Sequence, residues 1–300
     1  MASNQQSSVH RAPAAALRDG DQGAVTRRDP KDMRVAFVGR RTGFNGGFIR
    51  WLDEHYTLAG VFFIEEDWRE RSAQLREVRR RVKRLGLFRV IDELLFLIYY
   101  VRRFGKEERR LWDAEFPEQF LSIPNSDAPT YSCDDIHSRG WRSKLKATDP
   151  DIVFATCGRT IFRRRFFGIP RYGTFVLHEG ITPEYRGLHT AGWALLKRDW
   201  DYVGYTLLKV DDGIDTGSVL CQGTYADAAK YGFYWRFLGH RALLDGLPHM
   251  KASLDALYED NGSFDPVPQE GRESHNYSWI RLTEYVALRL RAALTRPKTA

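Results

Sequence analysis

The sequence predicts an α/β protein with a mostly parallel sheet flanked by helices, and three observations predict it. An apolar run closed by a glycine is followed by a turn, a helical pattern and a second apolar run, which together read as a βαβ opening. Two further apolar runs of strand length lie near the middle of the chain. Between and after them the apolar residues recur at helical, not alternating, spacing.

The first run is Arg34 to Gly39, RVAFVG, with the continuous apolar character of a strand buried on both faces. RRTGFNGGFIRWLDEHY then reads as a glycine-rich turn entering a helix, and TLAGVFFIEE as the second strand. The glycines at 39, 43, 46 and 47 do not match G-x-G-x-x-G, so no dinucleotide fingerprint is expected. From Trp68 to Glu108 the pattern is helical: Leu87, Val90, Ile91, Leu94, Leu95, Ile98 and Tyr99 recur at three- and four-residue spacing, and Arg79, Arg80 and Arg81 precede them. The expectation is a core-packed helix with a solvated basic face, on which a partner could also dock. Pro117 to Asp149 is looser. DIVFATCG (Asp151 to Gly158) and GTFVLHEG (Gly173 to Gly180) are strands, Thr190 to Lys197 is helical, and VGYTLLKVDDGIDTGSVLCQ is a hairpin about a glycine-rich turn. Helical character returns from Ala226 to about Leu257. A link bearing Pro and Gly, from Asn261 to Gly271, leads to an amphipathic segment, Leu282 to Leu294.

The expected organisation is a disordered extension over 1–32, a catalytic domain over 33–225 with a helical insertion at about 68–110, and a helical C-terminal extension over 226–300. The 43 % hydrophobic content suffices for a buried core, and no apolar run approaches the roughly 18 residues that span a bilayer, so a soluble protein is expected. Residues 1–31 lack the apolar stretch of a secretory signal. Three cysteines at wide spacing form neither a disulfide framework nor a metal-ligand pattern, which fits a reducing cytoplasm and no metal. The net charge of +7 is concentrated, because Arg69 to Arg110 holds fourteen Lys/Arg against six Asp/Glu.

Chemistry concentrates after residue 150. His178 falls at the end of an apolar strand, where a parallel sheet presents side chains to the crevice at its carboxyl edge. Asp215 lies in the turn DDGIDTG between two predicted strands, which suits either a carboxylate aimed outward or ordinary turn chemistry. The two together fit an acid/base pair. What gives the pair weight is the ordered set His178, Pro183-x-Tyr185-Arg186-Gly187, Leu188-His189-Thr190, Trp193, Gly204-x-Thr206 and Asp211-x-Gly213-Ile214-Asp215-Thr216-Gly217. The set, within Met33 to Gln222, resembles the folate-dependent formyltransferase family, which includes the glycinamide ribonucleotide, methionyl-tRNA and amino-sugar enzymes.

The resemblance implies a Rossmann-like sheet, 10-formyltetrahydrofolate as formyl donor, and an amine acceptor. It implies His178 and Asp215 as catalytic residues, with the histidine at the oxyanion and the aspartate governing its charge and proton transfer. Thr156, Cys157, Gly158, Asp211, Asp212 and Gly213 correspond to folate-binding loops. Glu179, Thr182 and Arg186 are candidates to contact the acceptor, although strand alternation turns Glu179 away from His178 and Arg186 is equally suited to bracing its loop. The family's asparagine, two residues before the histidine, is Val176 here, and Gly180-Ile181-Thr182 replaces its Ser-Leu-Leu. Valine donates no hydrogen bond, and loss of one oxyanion donor costs on the order of 10²–10³ in rate. A backbone N–H at Gly180 or Ile181, a side chain such as Thr182 or Asn45, or altered chemistry would have to compensate.

The region after residue 225 does not read as the β-barrel domain that follows the catalytic domain in methionyl-tRNA formyltransferases. The expected acceptor is therefore a small amine, an amino sugar or amino-acid derivative of specialised metabolism, and not nucleic acid; a homo-oligomer is compatible with the sequence. Formyl hydrolysis on the same site and a non-catalytic binding protein are the alternatives. HNYSWIRLTEY, His275 to Tyr285, is expected to fold back near the site.

Overall fold

The fold is built on seven strands in the order β3-β2-β1-β4-β5-β7-β8. In this computed structural model residues 28–65, 71–133, 135–156 and 160–294 are described, without the side chains of residues 71–74 and 77. In chain order the elements are β1 (Arg34–Gly39), α1 (Gly43–His55), β2 (Thr57–Ile64), α2 (Arg71–Leu85), α3 (Leu87–Glu115), β3 (Thr130–Cys133), α4 (Arg139–Ala147), β4 (Ile152–Thr156) and α5 (Arg164–Phe167). They continue as β5 (Gly173–Glu179), β6 (Arg186–Gly187), α6 (Thr190–Lys197), β7 (Gly204–Lys209), β8 (Val219–Thr224), α7 (Trp235–Asp245), α8 (Leu247–Glu259), β9 (Asn276–Tyr277) and α9 (Leu282–Leu294). Strands β3, β2, β1, β4 and β5 are parallel; β7 and β8 are antiparallel additions at the β5 edge.

Alternation along the strands divides the core between two faces. In β1, Val35 and Phe37 join the larger apolar cluster and Ala36 and Val38 the smaller. In β5, Phe175 and Leu177 point into the larger cluster, whereas Val176 packs on the smaller one. Chain order reverses at the β1/β4 boundary, since β2 and β3 lie on one side and β5 on the other. The carboxyl ends of β1 and β4 therefore flank the crevice in which open α/β sheets bind ligands.

After a short turn at 40–42, the glycines at 43, 46 and 47 lie in the helix that follows β1. Thr42 caps α1, its hydroxyl accepting from the Asn45 N–H at 3.3 Å, and the glycines lie within the first turns. They are needed for packing: a Cβ on Gly46 would sit 2.1 Å from the Ser122 carbonyl, and one on Gly47 2.0 Å from the Phe120 ring. The looser stretch 117–149 contains an edge strand, β3, and a helix, α4, that sequence patterning did not resolve.

The long helical segment departs from expectation in its facing. It is a hairpin of α2 and α3 broken at Gly86, whose φ of +87° lies in the left-handed region. Val90, Phe96 and Tyr100 turn inward, but Leu87, Ile91, Leu94, Leu95 and Ile98 are exposed. The inward face instead carries Glu93 and Glu108. Glu93 pairs with Arg81 and Arg89, while Glu108 accepts from the Tyr100 hydroxyl and from the Phe237 N–H at 3.2 Å. Burial first, and Glu108 beside it, push the Tyr100 phenol well above its ordinary pKa. No helix among the described residues is long and apolar enough to cross a membrane.

Candidate active site

His178 stands one residue before the end of β5, on the smaller-cluster face with Val176, and is 8 % exposed. Its Nε2 lies 2.8 Å from the Tyr185 carbonyl, which can only accept, so this nitrogen carries a proton and donates. Nδ1 then faces Asp215, with Oδ2 at 3.7 Å. Asp215 therefore addresses the ring nitrogen at which a proton is gained or lost.

Asp215 is supplied by the turn between β7 and β8 and has a φ of +50°. Its Oδ2 accepts from the Gly187 N–H at 3.0 Å, and Arg186 donates from Nη1 to the neighbouring Ile214 carbonyl at 3.0 Å. The Tyr-Arg-Gly loop thus grips the aspartate-bearing turn twice. Thr206, opposite His178 in β7, holds the loop after β5, since its hydroxyl donates to the Gly180 carbonyl at 2.8 Å and accepts from the Thr182 N–H at 3.2 Å.

His178, Arg186 and Asp215 are brought together; other predicted residues are placed elsewhere. Glu179, on the opposite face of β5, has Oε1 3.6 Å from His240 Nδ1 and sits against Gly239 of α7. The His240 ring meets Phe44 at 4.2 Å and Trp112 at 5.1 Å between centroids, so Glu179 borders a separate aromatic group. Thr182 is fully buried and its hydroxyl has no hydrogen-bond partner among the described residues. Thr156, at the β1/β4 crevice, donates to the Asn45 side-chain oxygen at 3.0 Å, while Asn45 Nδ2 donates to the Arg40 carbonyl at 2.8 Å. Asp211 builds its own turn, accepting from the Gly213 N–H at 2.9 Å and from the Thr216 hydroxyl at 2.8 Å. A Cβ on Gly213 would collide with that hydroxyl at 1.9 Å, and Asp212 is exposed. Cys157 and Gly158 lie outside the described residues. His189 is loop structure, left-handed at φ +57° and 4.4 Å from the Trp235 ring centroid.

The compensating donors can be compared directly. Gly180 N–H donates to the Gly204 carbonyl at 2.7 Å, and Asn45 is occupied as above. The Ile181 N–H makes no hydrogen bond to any described residue.

The segment expected to fold back, with Arg272 before it, reinforces the site from the C-terminal region. β9 pairs with β6, matching Arg186 to Asn276 and Gly187 to Tyr277. Arg272 clasps Glu184 through two hydrogen bonds of 2.8 and 2.7 Å, and Tyr277 stacks on Tyr185 and Trp193 at 4.9 and 5.3 Å. Burial, then the hydrogen bond to Asp199, pushes the Tyr185 phenol far above its ordinary pKa, so the hydroxyl is a donor that ties the loop down. The segment at 275–285 thus lies against the loop that holds His178.

Residues 111–227, which contain His178 and Asp215, match the family model described as formyl transferase. The chain is 23 % identical over 141 residues to the methionyl-tRNA formyltransferase of Thermodesulfovibrio yellowstonii, covering 45 % of this chain and 46 % of that protein. It is 33 % identical over 94 residues to the bifunctional polymyxin resistance protein ArnA of Wigglesworthia glossinidia brevipalpis, covering 31 % of this chain and 14 % of that one. The chain thus spans less than half the length of these curated relatives. Among solved structures, it is similar to glycinamide ribonucleotide transformylase 1 of Symbiobacterium toebii, with a TM-score of 0.48, 15 % identity, and coverage of 83 % of this chain and 95 % of that one.

Proposed function

We propose, from the match of residues 111–227 to the formyl transferase family model, that this protein moves a formyl group from 10-formyltetrahydrofolate to the amine of a small molecule, an amino sugar or amino-acid derivative. The observation that carries the reading is the approach of His178 Nδ1 to Asp215 Oδ2 at 3.7 Å, with the carboxylate held by the Gly187 N–H. A histidine with one nitrogen anchored on a carbonyl and the other facing a carboxylate is a fixed proton carrier.

The amine nitrogen attacks the formyl carbon and the bond from that carbon to the folate nitrogen breaks. The proton lost by the amine is taken by the His178/Asp215 pair and returned to the leaving nitrogen, so the pair ends as it began. Oxyanion charge is met by the Ile181 N–H, which makes no hydrogen bond to any described residue, in place of the side-chain donor that Val176 lacks. The crevice fits a polar heteroaromatic donor: the Thr156 hydroxyl oxygen, whose proton goes to Asn45, can still accept at the sheet's switch point, and Ile214 beside Asp215 is 47 % exposed. Asp211 and Gly213 act by shaping that turn, with Asp212 exposed on it. Glu179, on the opposite face of β5 and beside His240, takes no part in holding the acceptor at this dyad.

Calorimetric titration with 5-formyltetrahydrofolate, a stable analogue of the donor, tests the reading. Micromolar binding by the wild type is expected, followed by N-formyl product when 10-formyltetrahydrofolate and candidate amines are supplied. A folded protein that binds no folate overturns the donor assignment, and formate release independent of amine would replace transfer with hydrolysis.

A further inference from the structure

We infer that the outward face of the α2/α3 hairpin docks the protein on an anionic lipid bilayer. Leu87, Ile91, Leu94, Ile98 and Val101 recur at three- and four-residue spacing along α3, flanked by Phe88 and Leu95, and all seven are exposed, Phe88 at 88 %. Residues 87–101 span about 21 Å of helix. A continuous apolar stripe of this length is not accounted for by the scattered apolar residues of ordinary surfaces.

The surrounding charge selects the occupant. Arg79 to Arg110 carries eleven Lys/Arg against four Asp/Glu, and two of the four acids, Glu93 and Glu108, are buried. Arg79, Lys83 and Arg84 are exposed at the hairpin end, and Arg102, Lys106 and Arg109 are exposed beyond the other end of the stripe. A second copy laid on this face, parallel or antiparallel, would set basic end against basic end. Nucleic acid would satisfy the arginines but leave the seven apolar side chains without a partner. Anionic lipid satisfies both, with head groups taking the basic ends while the aliphatic side chains enter the head-group and acyl boundary. No helix crosses the bilayer on this arrangement, which agrees with the absence of a spanning helix among the described residues. The inference is independent of the formyl-transfer reading.

The test is co-sedimentation of the full chain with vesicles of phosphatidylcholine alone and with a third of phosphatidylglycerol. Binding is expected only to the second, weakening steeply with added salt. Leu95→Glu combined with Ile98→Glu should abolish it. Arg102→Ala combined with Lys106→Ala should lower partitioning by roughly tenfold or more, as the loss of two surface-facing charges predicts. Both pairs are exposed, so thermal unfolding should match that of the wild type, and if the first pair fails to fold the second still decides. Absence of binding to either vesicle overturns the inference, as does binding that survives both double substitutions. A dimer in light scattering that Leu95→Glu/Ile98→Glu converts to monomer would assign the face to self-association instead.

Discussion

The two ring nitrogens of His178 face different kinds of oxygen, a carbonyl at 2.8 Å and a carboxylate at 3.7 Å, so in the proposed reaction the two partners play different parts. The carbonyl fixes the ring, and the carboxylate faces its other nitrogen. Asp215→Asn keeps the shape and one acceptor oxygen but removes the charge. The expected loss in kcat is about 10²–10⁴-fold with the KM for folate little changed. His178→Ala should lose as much, and the double variant scarcely more than either, because the two act as one unit; additive losses in steady-state kinetics would refute that unity. Val176 gives a second check at this scale. It shares the face of His178, and with the Ile181 N–H as the proposed oxyanion donor, Val176→Asn should leave the rate within about tenfold of wild type. A gain of about 10² or more would show that the site lacks a donor. The histidine and the aspartate were legible because an ordered set of side chains marks them. The opposite facing of Glu179 was legible from strand alternation. The Tyr185 carbonyl was not, since a backbone acceptor leaves no trace in the identity of the side chain.

Among the elements, the buried carboxylates of α3 show where sequence patterning fails. Charged residues at helical spacing suggested a solvated face, but Glu93 is 1 % exposed and receives Arg81 from α2 and Arg89 from its own helix. Ionic partners fifteen or fewer residues away allowed the burial; their pairing depends on the Gly86 reversal, which helical periodicity does not encode. Apolar residues displaced from the inner face then lie outside. Because the desolvated carboxylate and Arg81 compensate one another, Glu93→Ala should cost about 3 kcal/mol in urea unfolding, whereas Glu107→Ala, at an exposed i,i+3 pair, should cost less than about 0.5 kcal/mol. Equal effects would mean that the inner pair contributes no more than a surface pair. The short edge strand β3 escaped the sequence for a related reason: four residues with alternate exposure carry too little pattern to stand out from a loop.

At the scale of the molecule, the C-terminal segment completes the loop that holds His178 and Asp215. Arg186 N–H donates to the His275 carbonyl and Leu188 N–H to the Tyr277 carbonyl, both at 3.0 Å, and Trp193 Nε1 donates to the Ser278 carbonyl at 2.8 Å. The loop so held supplies both the Tyr185 carbonyl for His178 and the Gly187 N–H for Asp215. Loosening the segment should therefore reach the dyad without touching it. Arg272→Ala leaves Glu184, whose side chain is 12 % exposed, without its two charge-assisted bonds; the expected cost is about 2 kcal/mol in unfolding free energy. Tyr277→Ala removes the ring stacked on Tyr185 and Trp193 and should cost about 3 kcal/mol, with kcat falling at least tenfold because the His178 anchor shifts. Tyr277→Phe keeps the stack and should restore both. The informative readout is kcat measured well below the melting temperature of each variant, where all are folded. If Tyr277→Ala loses stability but retains wild-type kcat there, the segment is a stabilising strap and the loop holds the dyad unaided; if kcat falls while Tyr277→Phe recovers it, the acceptor geometry around His178 is set by residues some hundred positions further along the chain.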